Sequence, residues 1–214
     1  LAIPWPSRHA FQTHHRYVST VWWGQGGKIS LKAYKLPDRS CFTTTAVRGS
    51  LAKRETMRHW LFKSEPNTYS IDDLAGHPDH TTMWEGVRNY QARNFLRDDV
   101  KQGDRVLFYH SACKHPAVVG TAVVTRDGYP DPHAFDPRSN YFDDKSDPRK
   151  PTWYAVDIRL ERKLPRPVTL TELRGRADLA SMVLLQKGSR LSIQPLTKKE
   201  FETVVKLAAK RPNG

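Results

Sequence analysis

The order in which extended and helical patterns arrive after residue 57 constrains this chain most. "RHWLFKS" (58–64) alternates and reads as a strand. "GDRVLFYHS" (103–111) opens with a turn and continues as a strand, followed by strands at "AVVGTAVVTR" (117–126), "TWYAVDIRLER" (152–162) and "RLSIQPL" (190–196). No regular helical crossover separates them, which argues against a doubly wound parallel sheet. A small, curved, mostly antiparallel sheet with helices on its outside fits better. Gly120 breaks one strand, where a bulge or a close approach is expected. The helices are short. Ser70 and Asp73 cap a turn at "SIDDL", and "VRNYQARNFLRDD" (87–99) reads as a helix with Val87, Tyr90 and Phe95 near one side. "VTLTELRG" and "ADLASMVLLQ" are further short helices. "TKKEFETVVKLAAKR" starts with a capping box from Thr197 to Glu200 and runs on as an amphipathic helix. No internal repeat is visible.

Upstream of Met57 that patterning is missing. Segment 1–56 carries nine Lys and Arg against two acids and contains no Met. We read Met57 as the natural start and 1–56 as read-through of upstream sequence. A basic targeting segment is the alternative, although Trp5, Trp22 and Trp23 fit it poorly. Either way 1–56 is left out of the fold, as a poorly patterned or disordered extension, and 57–210 is taken as the domain.

The formal net charge of +13 favours a polyanionic partner, most simply nucleic acid. No run of eighteen apolar residues is present, so no membrane span is expected. Cys41 and Cys113 lie far apart and form no C-x-x-C, which fits a reducing cytoplasm, with nucleoid association as a second option. His77 and His80 in "HPDH" are split by Pro78 and read as loop, so neither a metal nor a cofactor is expected. Catalytic motifs are missing: there is no G-x-S-x-G, no P-loop and no G-x-G-x-x-G. His110 with Ser111 would face opposite ways on a strand, and Cys113 with His115 has no third orienting group. The loop 127–151 holds five prolines together with Tyr129, Phe135, Tyr141 and Phe142, which favours a packed flap.

The stretch "TMWEGVRNYQARNFL" (82–96) carries aromatic planes, amides and guanidinium groups where a purely packing helix would show aliphatic residues. Trp84 can supply a stacking plane, with Gly86 permitting a sharp turn after it, while Tyr90 and Phe95 turn to the core. Ser64 and Asn89 are candidates for contacts to a base edge. Arg88, Arg93, Lys63, Lys187 and Arg190 are candidates to grip phosphates. In "QKGSRLS" (186–192), Gly188 and Ser189 put backbone N–H groups beside two cations, an arrangement that suits an anion.

"WLFKSEP", "SIDDL", "WEGVRNYQARNFL", "GDRVLFYHS", "YPDPHAFDP", "WYAVDIRL" and "SRLSIQPL" together resemble the EVE domain in order and spacing. The resemblance implies an α+β, PUA-like fold: a small mixed, mostly antiparallel β-barrel with surrounding helices. It also implies kinship with YTH domains, and a reader that accommodates a flipped modified base, such as a methylated cytosine or adenine, in an aromatic-lined pocket. In that pattern Lys63 and Ser64 resemble the strand end lining the pocket, and Trp84 resembles the cage Trp. Tyr109, His110 and Ser111 resemble the strand end facing the same pocket. Trp153 lies near the second cage wall, which Tyr141 or Phe142 of the flap could supply instead. The expected partner is nucleic acid carrying a modified base. The alternative is a PUA-like enzyme or sensor acting on a nucleotide or small molecule.

Overall fold

The computed structural model describes residues 17–23, 29–35 and 57–210. The chain divides into two units, Leu1–Leu51 and Ala52–Gly214. In the first, strands β1 (Tyr17–Trp23) and β2 (Ile29–Lys35) pair antiparallel, from Tyr17 opposite Lys35 to Trp23 opposite Ile29. The segment expected to stand outside the fold therefore holds a strand pair of its own, and the rest of it lies outside the described residues.

The second unit is built on six strands: β3 (His59–Ser64), β4 (Thr81–Trp84), β5 (Arg105–His110), β6 (Ala117–Pro130), β7 (Tyr154–Thr169) and β8 (Ile193–Leu196). Their order across the sheet is β4-β7-β6-β5-β3-β8. Only β3 and β5 run parallel; every other neighbouring pair is antiparallel. The mixed, mostly antiparallel sheet expected from the sequence is what forms. β6 and β7 run longer than their patterns indicated, because repeated register shifts let them coil together instead of ending. The two edge strands, β4 and β8, do not pair, so the barrel stays open between them.

Alternation along β3 sends Trp60 and Phe62 to the barrel interior and Leu61 to the outer face. Inside, they meet Trp84, Phe108, Val156 and Ile158. Outside, Leu61 and Leu107 are covered by α3 (Leu170–Arg174) and α4 (Lys198–Ala209) through Leu173, Phe201 and Val204. Both faces of the central strands are thus buried. The α4 capping box closes as expected: the Glu200 carboxylate accepts from the Thr197 N–H at 2.7 Å, and the Glu200 N–H donates to Thr197 Oγ1 at 3.2 Å. Ser70 and Asp73 form the same box at α1 (Ile71–Gly76). A Cβ on Gly120 would lie 2.7 Å from Ile71 Cδ1, which accounts for the glycine in mid-strand.

The helix expected over 87–99 is shorter and starts later. It is α2 (Tyr90–Asn94), continued by a π turn over Phe95–Asp99. Asn89 has extended backbone and its side-chain oxygen accepts from the Ala92 N–H at 3.0 Å, which sets the start. This start leaves Tyr90 63% exposed and makes Ala92 and Leu96 the inward residues. The assignment of Tyr90 to the core is therefore corrected, whereas Phe95 does pack, with its ring 5.6 Å from Trp60.

Candidate nucleic-acid interface

A cavity of about 480 Å³ opens where the barrel does. The end of β3 supplies Lys63 and Ser64, and β4 supplies Thr82, Met83 and Trp84. Ser192, just before β8, closes the seam from the other edge, and Tyr141 of the flap forms a lid. The volume is in the range of ligand pockets.

Trp84 serves two masters. It lines the cavity, yet only 7% of it is exposed, and its ring lies 5.3 Å from both Phe62 and Phe108. The ring offered as a stacking plane is also part of the interior core. Its N–H makes no hydrogen bond among the described residues, so the donor is left for a ligand. The Tyr69 hydroxyl, also in the wall and buried beside Thr82, has no hydrogen bond of good geometry. Ser64 Oγ donates to the Tyr69 carbonyl at 2.5 Å, so its hydroxyl is committed to the wall.

The turn after Trp84 is held by a carboxylate that sequence reasoning missed. Asp131 is fully buried and accepts from the Gly86 N–H at 3.2 Å, the His133 N–H at 3.0 Å and Arg88 Nη1 at 2.8 Å. Arg88 also donates to the Tyr141 carbonyl, which ties the flap to the turn. Gly86 has φ +72°, and a Cβ there would sit 2.6 Å from the Tyr141 ring. Glycine is required twice over, by backbone and by space. The signal for Asp131 was the "YPDPHAF" motif, but nothing local in it says that the carboxylate reaches 45 residues back.

Glu85 lines the same cavity and pairs with His133 Nε2 at 2.8 Å. Burial is the main influence on its carboxyl and pushes its pKa up, against the opposing pull of His133. Lys63 is half-buried, and burial lowers its pKa below the ordinary lysine value.

The remaining expected site residues are spread more widely. Asn89 caps α2 and does not line this cavity. Tyr109 lies in a different concavity, with burial pushing its pKa up to about 12. His110 Nε2 accepts from the Ile71 N–H at 3.1 Å and so anchors α1, while Ser111 Oγ donates to the Ser64 carbonyl at 3.1 Å. Trp153 is buried behind the flap, its N–H donating to Asp143 at 2.6 Å and its ring 5.1 Å from Tyr90. It is Tyr141, and not Trp153, that lines the cavity. Phe142 is 43% exposed.

The expected phosphate contacts divide in the same way. Arg88 is committed to Asp131 and to the flap. Arg93 donates to the Thr152 carbonyl and to Asn94, with its guanidinium 5.2 Å from the centre of the Tyr90 ring. Lys187, Ser189 and Arg190 line the second concavity.

The family model described as "EVE domain" matches residues 58–207. The chain belongs to the EVE domain family. Among curated relatives, thymocyte nuclear protein 1 of Gallus gallus is 41% identical over 182 residues, covering 77% of this chain and 74% of its own length. The Homo sapiens protein of that name is 38% identical over 196 residues, covering 84% of this chain and 85% of its own. That share exceeds what the EVE domain alone supplies, so the alignment reaches into the basic N-terminal segment. Among solved structures, one from Pseudomonas putida is 46% identical with a TM-score of 0.67, covering 70% of this chain and 99% of that one. The structure of human THYN1 protein in complex with 5-methylcytosine-containing DNA is 41% identical with a TM-score of 0.69, covering 72% and 99%. The cytoplasmic expectation finds no support in relatives named as nuclear proteins. Among the described residues of this EVE protein, no helix is long and apolar enough to cross a membrane.

Proposed function

We propose that this chain is a non-enzymatic nucleic-acid-binding reader that takes a flipped modified base into the cavity at the open seam of its EVE domain. The observation that carries this reading is the cavity itself. The Trp84 indole with its unpartnered N–H, the Tyr69 hydroxyl beside Thr82, and an acceptor at Glu85 line a space of about 480 Å³. A base needs one plane to pack on and a few polar groups along its edge, and removing it from the helix costs a few kcal/mol that these contacts offset. Methylated cytosine in DNA is the first candidate, because the human relative was crystallised with 5-methylcytosine-containing DNA. A carboxylate suits a cytosine-type base, whose exocyclic amine donates. Two of the four residues weighed for catalysis have structural roles: His110 Nε2 accepts from the Ile71 N–H, and Ser111 Oγ donates to the Ser64 carbonyl.

The test pairs binding with turnover. The protein is incubated with two duplexes of one sequence, with and without 5-methylcytosine at a single position. Tighter binding of the methylated duplex, with both DNAs recovered chemically unchanged by mass spectrometry, is the expected result. Equal binding, or a converted base, would overturn it.

A further inference from the structure

A second concavity, of about 540 Å³, adjoins the base cavity at Lys63, and every charged side chain lining it is a cation. Lys63 lines both. Around the second space stand Arg174 at the end of α3, and Lys187 and Arg190 from the turn before β8. With Lys63 these are four cations, and none forms an ion pair among the described residues. No Asp or Glu lines the space, whereas the base cavity holds Glu65 and Glu85.

The floor of this groove adds backbone donors. In the turn Gln186–Arg190, the Ser189 N–H is bonded to Gln186, but the N–H groups of Lys187, Gly188 and Arg190 make no backbone hydrogen bond. The Gln194 side chain donates to Ser189 Oγ at 3.2 Å and to the Leu191 carbonyl at 2.9 Å, and so braces the turn from a fully buried position. Adjacent backbone N–H groups beside unpaired cations make an anion-binding concavity. A third space, of about 400 Å³, shares the same turn and extends the groove toward Asn89 and Gln91.

The geometry points to this groove as the seat of the phosphodiester backbone next to the flipped base, with Lys63 as the post between base and phosphate. This assignment rests on the base-reading proposal for its partner. It brings in Arg174, which lies in no recognisable sequence motif, and moves the backbone grip away from Arg88 and Arg93. Unpaired cations facing a polyanion release counterions on binding, so their number appears in the salt dependence.

The experiment uses the full chain and its Arg174→Ala/Lys187→Ala variant, with the methylated and unmethylated duplexes followed by fluorescence anisotropy across a range of NaCl. The slope of log K against log salt should become shallower by about two, at about 0.9 per phosphate contact on duplex DNA. Affinity for both duplexes should fall by the same factor. Arg174→Lys/Lys187→Arg should restore the wild-type slope. An unchanged slope, a loss confined to the methylated duplex, or a wild-type chain that binds neither duplex would overturn the assignment. If the wild type shows no preference for methylation but the slope still drops, base reading fails and the groove stands. Both side chains are exposed, and a melting curve checks the fold. Should the double variant melt early, Lys187→Gln alone is expected to lower the slope by about one.

Discussion

The two concavities that meet at Lys63 differ in how they are built as much as in what they hold. The base cavity is made from the ends of buried strands and a flap locked by Asp131, and its charged Arg88 is already paired. The second groove is made from a turn and a short helix end, and its cations are unpaired. Reading a base needs fixed geometry, because a stacking plane or edge contact displaced by an ångström is lost. Holding a phosphate needs charge within reach, which long side chains on an exposed turn supply. On the proposed reading, recognition sits in the rigid part of the molecule and affinity in the adaptable part. Mutations should then affect fold and methyl preference together in one region, and salt dependence with overall affinity, but not methyl preference, in the other.

The largest effect should come from Trp84→Ala. Truncating a buried Trp that packs on Phe62 and Phe108 should cost roughly 3–5 kcal/mol of stability, read by denaturant melts, and abolish methyl preference in whatever remains folded. Trp84→Phe should recover most of the stability without the indole N–H. If Trp84→Ala melts like the wild type, the ring is not part of the core.

Next is Gly86→Ala. A left-handed residue forced against the Tyr141 ring should cost about 1–3 kcal/mol and push the flap from the cavity. Discrimination between methylated and unmethylated duplexes should collapse while the salt slope holds. A changed slope with discrimination intact would mean that the two regions have been assigned the wrong way round.

The smallest effect concerns pH. Burial is the main reason that the His110 pKa lies below its ordinary value, and protonation of Nε2 would break its bond from the Ile71 N–H. The unfolded chain then takes up a proton more readily than the folded one, so this contribution to stability is present above about pH 6.5 and is lost as pH falls toward the folded-state pKa. His59 shifts in the same direction, again chiefly from burial. The melting temperature should fall between pH 7 and pH 5.5, and His110→Asn should make that fall shallower. An identical pH profile in the variant would show that His110 does not contribute.

The legibility of the sequence follows the same division. Strands, caps and the mixed antiparallel class could be read because alternation and the two capping boxes are local signals. Trp84 stood out by its polar neighbours, but its packing on Phe108 depends on pairings across the barrel. The helix at 87–99 was overdrawn because Asn89 competes for the backbone and starts it late. Lys187, Ser189 and Arg190 were visible as a glycine-containing basic turn. Asp131 and Arg174 were not, since each acts through chain segments distant in sequence. The strand pair at 17–35 was missed although Ile29, Leu31 and Ala33 alternate with Ser30 and Lys32, because the signal spans only one short stretch of a basic, aromatic segment.

The central claim is that the methyl group is read without charge and the backbone is held by it. The measurement that tests it most directly is the salt titration of wild-type binding to the methylated and unmethylated duplexes, plotted together. A methyl group is uncharged and is worth about 0.8 kcal/mol when buried, so the account predicts two parallel lines with a constant offset of about four-fold. Coincident lines, or an offset that shrinks to nothing as salt rises, would contradict it.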